Sequence, residues 1–590
     1  MMRRFHKLAP WLMGAAMTTA FLLVLSRISS FRFENSDDML IVKAFMGFEG
    51  GIPAGLDDTR TFLSWPLYAL RALAPAVPWF SVYQVALLWL SGTMLVKSLI
   101  QMAWNRQLCM GYGAAAGGLF LCAFAAFPMC RITYTTTAAL AGAAAVAQFL
   151  SIDDTKATAG QAIRGFLVSL LLFMAGYFLR QIALLPCLAY FCLAGLWRCL
   201  RFFYATKHSA KPLLATMLAL LLTFGVLTGI RELDAAAHQS KEYVAWNEAR
   251  IDLFDYTSFE QNVTPALTAQ SGLSANELAL IREWYFMDEA ITAEALTTLA
   301  QAYDQQARPS PFETLLRFFS GNKRYLCTAA LLLMLLFLCA ACHTKGSRGW
   351  NVLAALLGVL GAAVLLLYLC KQGRVLARVV DCVLLPCAAL LFGVAMDSLS
   401  GLRRPVQAEA MADQAAKSAV CRGPLPLGKR LAILVACVLC LVCMGASTML
   451  TKRAISDRPD TLSQQREAEL EAFALQNPDL LIVRTPNLLR DTRLFPDVSA
   501  GIPINLMIWG DWNCRTPTWF AQLALFGIDG EHFTARDWLH PSIVFVTDAN
   551  APPKALTAHI EETVKAPISV QQIGQTATLR FYQFAAGEER

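Results

Sequence analysis

Apolar residues run along this chain in stretches of about 20, the length a helix needs to cross a hydrocarbon core, and polar residues collect between them. Eleven such stretches are read, near residues 9–28, 79–97, 108–128, 132–150, 164–179, 182–198, 212–230, 325–342, 350–369, 376–397 and 431–450. The first follows MMRRFHK and reads as an uncleaved helix, because no small-x-small site follows it and Arg27 and Arg32 come next. Runs of Gly and Ala such as 111–118 suit close helix packing within a bilayer.

Three longer segments break the apolar pattern. In 31–78, apolar residues recur at helical spacing around Met39–Met46 and from Phe62 to Leu73, which predicts two short helices lying along the membrane surface. Segment 231–324 reads as helical, with cap patterns at Ser274-x-x-Glu277 and Ser310-Pro-Phe-Glu313. Segment 451–590 changes character: 480–484, 504–509, 542–547 and 578–583 read as strands, with helices near 461–476, 517–527 and 552–565. That alternation predicts a small α/β domain. Residues 400–428 read as a cytoplasmic linker.

The expected fold is therefore an α-helical polytopic membrane protein with about 11 spans, followed by a C-terminal extracytoplasmic α/β domain. Residues 1–450 form the transmembrane part, with outer loop 31–78 and a helical outer insertion 231–324, and 451–590 form the second domain. Composition agrees: 56% of the 590 residues are apolar and 16% charged, against roughly 25% charged in soluble domains, and the mean hydropathy is +0.46. With the N-terminus inside, the inner connections hold 19 Lys and Arg and the outer ones about ten, setting aside the large soluble parts. This bias places the N-terminus in the cytoplasm, and an odd number of spans then puts the C-terminus outside. The chain is expected in a membrane, multi-pass, with its C-terminal domain extracytoplasmic.

Most of the 17 cysteines lie in or beside apolar spans and read as small apolar residues, so no structural disulfide is expected in the outer parts. The net charge of +7 is scattered along the inner loops and excludes a nucleic-acid face.

On this topology the outer face gathers carboxylates from one loop and cations from several others. Asp37, Asp38, Glu49, Asp57, Asp58 and Arg60 lie in the first outer segment; Arg131, Arg180-Gln181, and Lys371, Arg374 and Arg378 lie in later turns. A carboxylate can take a proton from an attacking hydroxyl, and guanidinium groups suit phosphate. Against this, basic residues at helix ends commonly snorkel to the interface, the bland reading for Arg131 and Arg378, and Asp57-Asp58 also suits a helix cap. Trp246, Asn247, Arg250, Asp252, Asp255 and Tyr256 group in the second outer segment. They suit either the acceptor side of a cleft or a structural cap. Trp509-Gly-Asp-Trp-Asn513 follows a strand and suits sugar stacking or a core corner equally.

NSDDMLIVKAFMGFEGG, with a surface helix after it and PWF opening the second span, resembles a group of bacterial polytopic membrane proteins with an Asn-Asp-Asp-type motif. These in turn are similar to the GT-C class of glycosyltransferases, which use polyprenyl-phosphate-linked sugars. TYTTTAAL (133–140), LRQIALLP (179–186), WNEARIDLFDYTSF (246–259) and YLCKQGRVLARV (368–379) carry further likeness. The resemblance implies Asp37 or Asp38 as base, and Arg180, Lys371 or Arg374 at the donor phosphate. It implies transfer of a sugar from the lipid donor to a hydroxyl on a glycan, glycolipid or protein. The acceptor side would include Asp57, Asp58, Arg60, Trp246, Arg250, Asp255 and Tyr256. Some members hold a divalent metal through an Asp-x-Asp-like motif; this chain has adjacent Asp pairs instead, so a metal stays a candidate and no cofactor is assigned. A surface-polysaccharide polymerase or ligase using a pyrophosphate-linked donor, a lipid or polysaccharide transporter, and a silent scaffold are the alternatives. Spans poor in ionisable groups weigh against transport.

Overall fold

The structure, a computed structural model, describes residues 2–48, 61–153, 157–205, 211–238, 240–256, 259, 270–304, 310–342, 349–373, 375–400, 427–456, 460–488, 491–510 and 513–587. Among them, nine helices are long and apolar enough to cross a membrane: Leu8–Ile28, Trp79–Asn105, Met110–Cys130, Gly160–Leu179, Gln181–Phe202, Lys323–Ala341, Gly349–Lys371, Ala377–Ser400 and Arg430–Ile455. The two remaining expected spans also form helices. Tyr134–Leu150 has only 17 residues, and all of them are buried. Lys211–His238 has its described apolar part at Leu218–Ile230. The short helix sits at the centre of the bundle, where Ala and Gly let its neighbours crowd it from every side.

The same device joins Trp79–Asn105 to Met110–Cys130. A Cβ on Gly113 would lie 2.5 Å from Ile100 Cα and 2.6 Å from the Leu99 carbonyl oxygen, so backbone meets backbone there. No flexible side chain can yield. Gly113→Leu is expected to cost about 1–3 kcal/mol, toward the upper end, read as a lower thermal midpoint of the detergent-purified chain.

The two ends of the bundle differ. At one end Arg106, Arg201, Asp153 and Asp397 interlock, with Arg106 Nε 2.9 Å and Arg201 Nε 3.5 Å from Asp397 Oδ1, and Arg201 Nη2 3.6 Å from Asp153. Lys97 Nζ donates to Gln148 Oε1 at 2.8 Å in the same quarter. Lys97 and Arg201 are buried and Arg106 is half-buried, so these basic residues brace neighbouring helices.

At the other end, the first helix (Met2–Ile28) and the last long one (Leu427–Ile455) finish side by side, with Ser29 Oγ donating to the Ile455 carbonyl. Arg131 donates to the Ser30 carbonyl at 2.9 Å and also to that of Ile455. Strand β1 (Arg32–Phe33) pairs in parallel with β2 (Arg131–Ile132), and Phe33 N–H donates to Thr492 O at 2.8 Å. The first loop and the C-terminal region thus share one end of the bundle, a placement that needs no count of spans.

The C-terminal region holds a five-stranded sheet in the order β4-β3-β5-β7-β6, with β3 (Leu481–Arg484), β4 (Leu506–Ile508), β5 (Ile543–Thr547), β6 (Ile568–Gln575) and β7 (Arg580–Ala586). β3 lies parallel to β4 and β5, and β7 runs antiparallel to β5 and β6. Helices Thr461–Gln476, Pro517–Leu525 and Lys554–Val564 connect and cover it. β6 escapes the sequence pattern because ISVQQIGQ is a polar edge strand with an irregularity at Gln572/Gly574.

The insertion is not a separate cap on the bundle. Trp246, Leu278, Phe286 and Leu299 share one apolar core with Val483, Trp509, Phe545 and Ile560 of the sheet region. Ser274 and Glu277 form a reciprocal capping box opening Ala275–Arg282, and Ser310 Oγ accepts from Glu313 N at 3.2 Å.

Candidate functional site

The first loop is held from three sides. β1 ties it to the turn at Arg131, Thr492 accepts from Phe33, and the loop helix Ser36–Met46 packs its Phe45 ring 5.6 Å from Phe80. This fixes the two neighbouring aspartates in opposite surroundings.

Asp38 lies on the stripe formed with Ile41, Val42 and Phe45, all buried, and is itself fully buried. Its Oδ1 accepts from Tyr134 N at 2.7 Å and from Gln84 Nε2 at 3.0 Å. Its Oδ2 is buried without a hydrogen-bond partner among the described residues. Burial pushes the carboxyl up to about 8, partly opposed by the Gln84 and Tyr134 hydrogen bonds. Asp38 is therefore an uncharged acid at neutral pH, bracing the start of the central helix.

Asp37 faces the other way, 41% exposed, with Arg378 Nη1 at 3.5 Å and Asn35 Nδ2 donating to it at 3.0 Å. Of the two, it is the carboxylate that a ligand can reach.

A pH effect follows from Asp38. Folded, it keeps its proton up to about pH 8, whereas an unfolded aspartate releases it near about pH 4. The folded state then binds more protons, so stability falls as pH rises from about 4 to about 8, by at most about 1.4 kcal/mol per unit. Thermal midpoints across that window are expected to slope downward in the wild type and to flatten in Asp38→Asn.

Two cavities flank the β1–β2 ribbon, and Arg32 and Thr492 line both. One, of about 500 Å³, is mainly apolar, walled by Leu22, Val85, Leu88 and Met129 of the bundle and by Leu494 and Phe495. The other, of about 520 Å³, has a mixed wall, with Glu34, Asn35, Arg131, Asp460 and Asn487 beside Phe33 and Phe127.

Glu34 was not singled out by the sequence. Its Oε2 is buried and takes no hydrogen bond among the described residues. Burial raises its carboxyl above the usual range, opposed by the charges of Arg378, Arg324 and Arg131. Arg324 also enters unannounced. It stacks 3.7 Å from the centre of the Phe127 ring and lies 3.8 Å from Asp381. The available signal was position: Glu34 precedes the Asn-Ser-Asp-Asp run by one residue, and Arg324 opens the span that leaves the insertion.

The expected cations separate. Arg378, read as a snorkelling residue, pairs with Asp37. Arg131 is buried and engaged by three backbone carbonyls, those of Ser30, Cys130 and Ile455. Arg180 stacks 4.8 Å from the centre of the Tyr134 ring, whose own N–H meets Asp38. Lys371 is exposed, and Arg374, Asp57, Asp58 and Arg60 lie outside the described residues, as do Glu49 and the side chain of Tyr256.

Trp246 and Arg250 are buried in the core shared by insertion and sheet; Trp246 Nε1 donates to Ile291 O at 3.1 Å and Arg250 Nη2 to Asn247 Oδ1 at 2.5 Å. That is a structural setting, and Asp255 follows on the same helix, half-buried. Trp509 is likewise a core corner, its Nε1 donating to Glu283 O at 3.0 Å.

The Asp37-Asp38 pair does not suit a shared metal ion, since one carboxylate accepts backbone and amide donors inside the fold and the other faces an arginine outside it. The arrangement can take a proton at Asp37 and hold an anion beside Arg378.

No family model and no curated protein matches the chain. Among solved structures, the crystal structure of ArnT from Cupriavidus metallidurans bound to undecaprenyl phosphate is similar to it at 12% identity, over 96% of this chain and 97% of that one. The TM-score is 0.33, at which the likeness bears on neither mechanism nor substrate.

Proposed function

We propose that the chain is a GT-C-like membrane glycosyltransferase that moves a sugar from a polyprenyl-phosphate donor to an acceptor hydroxyl on the extracytoplasmic face. The observation that supports this reading is that Asn35, which lines the cavity of mixed polar and apolar walls next to the apolar one, donates to Asp37 of the half-exposed Asp37–Arg378 pair. A polyprenyl-phosphate sugar has the same division, a hydrocarbon chain joined through phosphate to a polar ring.

In this reaction the Asp37 carboxylate accepts the acceptor's hydroxyl proton. The freed oxygen attacks C1 of the sugar as the bond from C1 to the phosphate oxygen breaks, and the electron pair leaves with the lipid phosphate. Direct displacement inverts the anomeric carbon. In this reading Arg378 and Arg180 meet the phosphate charge, while Arg131, engaged by carbonyls, anchors the ribbon. Lys371 and Arg374 keep a role only if the donor reaches their turn.

The test is transfer by the purified chain in proteoliposomes supplied with a panel of polyprenyl-phosphate monosaccharides. Label appearing in an acceptor and free polyprenyl phosphate accumulating in step supports the proposal. Transfer only from pyrophosphate-linked oligosaccharides overturns it in favour of a polymerase or ligase.

A further inference from the structure

Two carboxylates and an imidazole meet where the insertion joins the C-terminal sheet. Glu277 comes from helix Ala275–Arg282, Asp288 from the turn after it, and His559 from helix Lys554–Val564. One ligand atom from each lies within 4.8 Å of the others. All three are nearly closed to solvent, at 9%, 4% and 3% exposure.

Two carboxylates this close and this buried demand a positive partner, because neither repulsion nor lost hydration is relieved by water. His559 Nε2 stands 3.0 Å from Asp288 Oδ2. The Arg515 guanidinium, which donates to the Asp288 carbonyl oxygen, supplies part of that charge; His559 supplies more either as a protonated ring or as a neutral ligand beside a divalent cation.

Three features favour the cation. The carboxylates are aimed in advance: Glu277 Oε2 accepts from Ser274 N at 2.6 Å, and Asp288 Oδ1 from Ala290 N at 3.0 Å. Oriented ligands of this sort are the usual support of a metal site. The donor set, one imidazole nitrogen and two carboxylate oxygens, is one that zinc-class ions accept, at roughly 2.0–2.2 Å per bond. Ligand atoms about such an ion stand roughly 3–4 Å apart, so a pair at the 4.8 Å limit draws together by a few tenths of an ångström or more on binding. The ring of Tyr285, 6.2 Å from that of His559 and edge-on to it, closes one side.

We infer that Glu277, Asp288 and His559 form a divalent-metal site for a zinc-class ion, which clasps the insertion to the C-terminal domain. On binding, His559 Nε2 gives up its proton, a protonated ring releasing it to solvent and a neutral ring carrying one on Nδ1 instead, and the freed Nε2 lone pair bonds the ion. The neighbouring contact from Asn276 Nδ2 to Glu562 Oε2, 3.1 Å long, joins the same two helices. The site shares no residue with the proposed transfer centre and stands whether or not the chain transfers sugar.

The test uses the full chain purified in detergent without chelator. Elemental analysis is expected to find about one equivalent of a zinc-class metal per chain. Stripping with EDTA should lower the thermal midpoint by about 5 °C, and Zn²⁺ should restore it. His559→Gln should lose both the metal and the zinc response. Should that variant not fold, Co²⁺ loaded into the stripped wild type reports directly through visible absorption of a low-coordinate site, and Glu277→Gln should weaken that signal. Wild-type protein that holds no metal and melts alike with EDTA and Zn²⁺ overturns the inference and leaves a bare imidazole–carboxylate clasp. So does a zinc response undiminished in His559→Gln.

Discussion

Asp37→Asn is expected to lower sugar transfer by about 10²–10⁴-fold, the range for loss of a positioned general base, while the thermal midpoint stays near that of the wild type. The stability half of the expectation follows from exposure. Asp37 is 41% and Arg378 28% exposed at 3.5 Å separation, and ion pairs so open to water contribute at most about 1 kcal/mol. Asp38→Asn gives the contrasting result. An amide there mimics a carboxyl already neutral, so the activity of Asp38→Asn should stay within about tenfold of the wild type. Initial rates at saturating donor, with melting curves on the same preparations, separate the two variants. A folded Asp37→Asn enzyme with full activity would sink the assignment, and so would an Asp38→Asn variant that is equally inactive though folded.

This contrast was readable in part. The sequence marks the acid pair as unusual because it follows a span so closely, but adjacency alone leaves the two residues equivalent. What separates them is the apolar stripe that Asp38 heads, with Ile41, Val42 and Phe45 at three, four and seven positions further on. A carboxyl at the head of such a stripe is carried inward with it. The partners of Asp38 were out of reach of any pattern, since Gln84 and Tyr134 stand 46 and 96 residues away.

The ribbon was similarly invisible. Two residues of β1 beside two of β2 leave no alternation to detect, yet they bring Arg131 and Glu34 to one cavity wall. The long elements were legible because span length and strand alternation are properties of a contiguous stretch. The union of insertion and sheet in one core was not, because Trp509 meets Glu283 across 226 residues.

The largest effect on stability is expected at Lys43. Its ammonium is buried in the loop helix and pairs with Glu467 and, at 2.8 Å, with Glu471, both on helix Thr461–Gln476. Burial depresses the lysine's proton affinity, while the charges of Glu471 and Asp491 oppose that shift. Lys43→Met removes the cation and leaves Glu467, 2% exposed, and Glu471, 12% exposed, facing apolar surroundings. Breaking one side of such a buried pair costs about 3–5 kcal/mol. Replacing all three groups together, as Lys43→Met with Glu467→Gln and Glu471→Gln, should recover much of that loss, because the penalty comes from the stranded charges. Thermal midpoints of the single and triple variants measure both numbers. If the single variant melts with the wild type, the contact does not hold the C-terminal domain to the loop. The loop helix that Lys43 anchors also carries Asp37. A triple variant that regains stability but not transfer would therefore mean that this contact sets the position of the carboxylate as well as the strength of the joint.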